Sequence, residues 1–209
     1  MDVSIVVSLL PLFFLLHELE EIIMVRSWLD KNQVALRERF SNLGHIIVWM
    51  EQMTTRRFIV VAAEEFIIVS LCTLMCLYFG KIVVWYCCLA AFAIHLVVHF
   101  IQFVVWKGYI PAIFTTAFCL PYCFWAMIKT YSFFFLYEMF VYAFIGIILC
   151  VLNLIVMHMI VKRAHPINSG ERKKKILSLH HGKFNVRVFG KLHAAIQYII
   201  SFYNSKSRK

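Results

Sequence analysis

Residues 9–24 form an apolar run interrupted by His17-Glu18-Leu19-Glu20-Glu21, an imidazole and three carboxylates within five residues. Histidine and glutamate are side chains of metal coordination and proton transfer. Each costs at least a few kcal/mol when placed at depth in a membrane segment, so they require an enclosed interior and partners within it. Two further apolar runs supply partners, one carrying Glu64-Glu65 and the other His95, His99 and Gln102. His17, Glu20 and Glu21 are spaced i, i+3, i+4, and His95, His99 and Gln102 are spaced i, i+4, i+7, so each set shares one helix stripe. Glu18 sits about 100° from His17, and Glu64 and Glu65 are offset from each other in the same way, so one of each adjacent set faces elsewhere.

Histidines and carboxylates projecting inward from three helices are what one or two divalent ions need, iron and zinc being equally admissible. The metal ligands expected are His17, Glu21, His95 and His99, with Glu20, Glu21, Glu64 and Glu65 as catalytic carboxylates. Gln102, Lys107 and Tyr109 are expected around the substrate or behind the ligands, the last two within reach of a headgroup phosphate. A bound ion would activate water against a lipid ester or amide, or support oxygen chemistry on an acyl chain. Two other classes stay open. One is metal-free acid/base isomerisation of a lipid, using carboxylates whose pKa values are driven apart. The other is a non-enzymatic role, as a proton- or cation-coupled transporter or as ion pairs that fix helix packing.

The elements that position these groups follow from composition. With 62% hydrophobic and 15% charged residues, the 209-residue chain is far too apolar for a soluble domain. It reads as an all-α polytopic transmembrane helix bundle of five spans, at about 3–24, 58–79, 82–106, 111–128 and 133–161. Residues 1–161 form the bundle and 162–209 a basic tail. Amphipathic surface helices are expected in the 25–57 loop, where Leu36, Phe40, Leu43 and Ile47 make an apolar stripe, and in the tail over 188–203. The first run begins Met1-Asp2, without the basic start of a signal peptide, and reads as a retained span. Pro11 and Pro121 are expected to bend their helices, and Pro111 suits the first turn of the fourth span. Glu138, Asn153 and His158 read as packing groups, as do the seven cysteines, whose spacing matches neither a thiolate zinc site nor a disulfide framework.

Charge sets the orientation. Five spans place nineteen of the 21 lysines and arginines on one side, which should be cytoplasmic, with the N-terminus outside and the C-terminus inside a plasma (cytoplasmic) membrane. The net charge of +10 then points to an anionic inner leaflet as partner of the tail, including Arg172-Lys173-Lys174-Lys175, and not to nucleic acid. A lipophilic small molecule is the expected substrate. Measured from the cytoplasmic span ends, Glu20, Glu21, His17, Glu64, Glu65, His99 and His95 all fall roughly 6 to 16 Å deep, one layer across three spans of alternating direction.

HELEE, with His17, Glu20 and Glu21 in its named positions, resembles the signature of the HXXEE family of integral membrane proteins. The resemblance continues through Glu64-Glu65, His99-x-x-Gln102, Lys107-Gly108-Tyr109-Ile110-Pro111 and Leu120-Pro121-Tyr122, covering roughly residues 5 to 130. The family pattern has an asparagine and a glycine where this chain has Leu96 and Ala112. The resemblance implies a membrane protein carrying a catalytic site, with no established reaction.

Overall fold

Residues 25–39 contain neither glycine nor proline, so nothing in the backbone stops the first helix where its apolar run ends. In the computed structural model, which describes residues 3–164, helix α1 runs unbroken over Val3–Arg39. At 1.5 Å per residue this is roughly 55 Å, well beyond the ~30 Å of a bilayer's hydrocarbon. The surface helix expected within residues 25–57 is therefore the far end of α1, followed by a tight turn at Ser41–Leu43 and the short helix α2 (Gly44–Gln52). The expected stripe is divided between them. Leu29 and Leu36 of α1 and Ile47 of α2 form a small apolar core under Trp28, Phe40, Met50 and Trp106. Arg37 grips Glu51 of α2 with two hydrogen bonds, of 3.0 and 2.6 Å.

Helix α3 (Thr55–Phe79) starts where the Thr54 hydroxyl accepts the Arg57 N–H at 3.3 Å. It ends at Gly80, whose φ of 64° lets its N–H return to the Cys76 carbonyl at 2.9 Å. Helix α4 (Ile82–Trp106) ends on Lys107, also left-handed at φ 59°. The free carbonyls of Val105 and Trp106 accept the Arg39 guanidinium at 2.6 and 2.8 Å, so the overhang of α1 caps α4. Helix α5 (Ile113–Thr130) begins after Pro111, which lies in the preceding turn and not in the helix, and Ala112 takes a left-handed φ of 65°. It continues as one helix through Pro121. Helix α6 (Leu136–Ala164) starts where Glu138 accepts the Phe135 N–H at 2.8 Å, which is the structural work of that carboxylate.

The main core lies between α1, α4 and α5 and includes the fully buried Val6, Leu10, Trp85, Leu89, Leu96 and Cys123. Pro11 has no N–H to offer the Val7 carbonyl four residues back. The Trp85 indole supplies the missing donor at 3.2 Å, and the Tyr122 hydroxyl donates to the neighbouring Val6 carbonyl at 2.9 Å. Phenylalanines such as Phe118 and Phe144 face outward, and five of the helices are long and apolar enough to cross a membrane. Helix α6 packs chiefly on α4 and more sparsely on α3. Gly146 permits this approach, because a Cβ there would overlap the Cys87 backbone. All seven cysteines are unpaired. The expectations for the tail, including the helix over 188–203, fall outside the described residues.

Candidate metal centre

The i, i+4 spacing of His17 and Glu21 places both on one face of α1, and the same spacing places His95 and His99 on one face of α4. The structure brings these four side chains together. One donor atom of each lies within 4.8 Å of every other. The Glu21 carboxylate is 2.5 Å from His99 Nε2, 3.7 Å from His95 Nε2 and 3.9 Å from His17 Nε2, and the two α4 imidazoles approach at 3.1 Å between Nε2 atoms. Ligand atoms around a four-coordinate ion with bonds of about 2.0–2.1 Å stand roughly 3.3 Å apart. The observed separations lie on both sides of that figure, so the four donors could close on one ion.

A second observation supports the fit. His17 is fully buried and its Nε2 has no hydrogen-bond partner, an orphan that costs free energy unless something else occupies its lone pair. Its Nδ1 lies 3.1 Å from Thr115 Oγ1, and that hydroxyl donates onward to Glu20 Oε2 at 2.7 Å. The Thr115 N–H donates to the same oxygen at 2.8 Å, and Tyr109 donates to Glu20 Oε1 at 3.3 Å. With its hydroxyl proton committed to Glu20, Thr115 accepts from His17 Nδ1–H, which leaves the Nε2 lone pair pointing into the cluster. This is the arrangement that orients a metal-bound imidazole. His99 lacks such support, since its Nδ1 is buried without a partner.

Glu20 thus stands behind His17 against α5, and does not join Glu21 on the inner stripe. Tyr109 is also in this support. Burial and the adjacent Glu20 carboxylate push its phenol above the ordinary value, so it remains a donor, and its carbonyl accepts the Trp28 indole at 2.7 Å. Glu64 turns toward α6, accepting from Asn153 Nδ2 at 3.0 Å, whereas Glu65 lines a groove. Gln102 and Lys107 are exposed. Thr115 went unrecognised in the sequence, and Glu18, named there as part of the polar cluster, was given no role in the site. No local pattern marks Thr115, and Glu18 turns away from the His17 stripe into the same groove as Glu65.

A model of the HXXEE family, described as a protein of unknown function with HXXEE motif, matches residues 8–126, more than half of the chain and nearly the stretch over which the resemblance runs. The chain belongs to the HXXEE family. No curated protein and no solved structure matches it. In this HXXEE protein the residues of the name are therefore divided in role by position. The histidine and the second glutamate enter the cluster, and the first glutamate braces the histidine from behind.

The groove has a volume of about 440 Å³ and runs between α1, α3, α4 and α6. Toward the end near the α1–α2–α3 connection it carries its polar groups, Glu18, Glu21, Glu65, His95, Asn153 and His158, alongside Phe58, Val61, Ala62 and Leu154. Toward the other end it is lined by Phe14, Val69, Val84, Ala91, Phe92 and cysteines. Glu21 and His95 belong both to the cluster and to the groove, so the centre opens sideways onto an apolar slot.

Proposed function

We propose that this HXXEE protein binds one divalent metal ion, iron or zinc, through His17, Glu21, His95 and His99, and acts on a lipophilic substrate held in the adjoining groove. The class is a metal-dependent membrane hydrolase or oxidoreductase. The observation that carries this reading is the convergence of four donor atoms around an orphaned His17 Nε2, at a point that opens onto an apolar slot. When bound, the ion supplies Lewis acidity toward a substrate oxygen or a water. Thr115 and Glu20 keep His17 in one tautomer, Phe92 and Phe14 shield the cluster from bulk water, and Glu18 and Glu65 face the substrate side of the groove. By the lysine and arginine count, the site lies in the cytoplasmic half of the bilayer and the basic tail meets its anionic leaflet.

Elemental analysis of detergent-purified full-length protein tests this reading, repeated on His17→Ala, Glu21→Ala and His99→Ala with melting curves to confirm folding. We expect stoichiometric metal in the unmodified protein and its loss in all three variants. A folded unmodified protein without metal overturns the reading. Because Glu18 and Glu65 stand on the groove wall outside the donor set, metal-free acid/base isomerisation is the second reading, and lipid turnover indifferent to chelator would favour it.

A further inference from the structure

Five glutamates sit within the apolar stretches of α1 and α3, and three are matched to protein donors. Glu20 has Thr115 and Tyr109, Glu21 has the α4 histidines, and Glu64 has Asn153. Glu18 and Glu65 are left over. Glu18 is 5% exposed and neither carboxylate is hydrogen-bonded among the described residues, yet both lie on the groove wall and within electrostatic range of each other. Carboxylates enclosed as Glu18 is, and as Glu65 is in part, keep their charge only with a counter-charge or donors beside them, and otherwise take up a proton. No lysine or arginine among the described residues lines the groove, so the bundle does not supply one there. The two residues also stay outside the donor set of the metal cluster.

A ligand that would hold both in the ionised form carries positive charge and several N–H donors, and in this slot is attached to something apolar. A protonated amine has three donors and no acceptor. From His95 to Val84 along α4 the slot extends roughly 16 Å beyond the polar end, the length of one extended hydrocarbon chain. A carboxylate or phosphate headgroup at that position would instead face Glu18 and Glu65, which have no lysine or arginine beside them on the groove wall. We propose that the groove takes a single-chain amphiphile with a protonated amine, its ammonium between Glu18 and Glu65 and its chain among Val69, Val84 and Ala91. This names the substrate class and rests on the reading of the groove as the substrate side of the metal centre.

Binding of hexadecylamine, hexadecanol and hexadecanoate to the detergent-purified full-length protein tests it, with metal content measured on the same samples. The amine should bind roughly tenfold or more tighter than the alcohol, the size of a charge-assisted contact, and the carboxylate weakest. In Glu18→Gln/Glu65→Gln the amine should fall to the level of the alcohol while the alcohol and the bound metal are unchanged. Ala91→Leu, which narrows the slot, should weaken amine and alcohol alike. Equal binding of amine and alcohol, preference for the carboxylate, or no binding of any of the three overturns the proposal. The ligand series on unmodified protein separates these outcomes even where a variant fails to fold. Metal without amine preference refutes this inference and leaves the metal centre standing, and amine preference without metal does the reverse.

Discussion

His17 shows how much of a ligand's behaviour is set by groups that never touch the ion. Its Nε2 is aimed by a chain of hydrogen bonds that begins at Glu20 and passes through Thr115 on another helix. Thr115→Val keeps the shape and removes the relay. Its affinity for zinc, measured by competition with a chromogenic chelator, should fall about 10- to 100-fold, with Thr115→Ser restoring it. An unchanged affinity would mean that the relay does not orient the ring. The i, i+4 pairs His17/Glu21 and His95/His99 were legible in the sequence, because helical periodicity alone puts such residues on one face. The place of Glu20 was not. Its spacing also suits the inner stripe, and only the packing of α5 on α1 brings Thr115 to it. The choice between Glu64 and Glu65 likewise waited on Asn153 of α6, which periodicity within α3 cannot see.

Among the elements, the helical spans were legible from hydropathy, and α4 fell on the residues expected of it. The ends differed where polarity and helix propensity disagree. Residues 25–39 are polar enough to read as a loop, yet contain no breaker, and the helix simply continues. The start of α5 departs for another reason, since the chain turns through Ala112 in a conformation that favours glycine, the residue usual in the family pattern. A left-handed alanine costs roughly 1–2 kcal/mol, part of which glycine gives back in backbone entropy. Ala112→Gly should therefore stabilise the protein by up to about 1 kcal/mol and raise its melting midpoint by a few degrees. A lower midpoint would show that Ala112 makes compensating contacts.

Among the described residues, charged and polar groups are enclosed beside an apolar core while many phenylalanines face outward, as a soluble bundle would not have them. Five crossings, as proposed, would put the two ends on opposite sides. Green fluorescent protein should fluoresce when fused after Lys209, and periplasmic alkaline phosphatase should be active when fused before Met1. A dark fluorescent fusion at the C-terminus or an inactive phosphatase fusion at the N-terminus would remove the proposed orientation and the depth assigned to the centre. The bond from Trp85 to the Val7 carbonyl carries a further consequence. Trp85→Phe strands that oxygen, because Pro11 gives it no amide, and the loss should be about 1–3 kcal/mol plus the vacated volume. Adding Pro11→Ala hands the oxygen a donor from its own helix, so the double variant should melt above the single one. Two lesions at this seam ought to be milder than one, and strict additivity in the melting series would rule out the bargain between indole and imino acid.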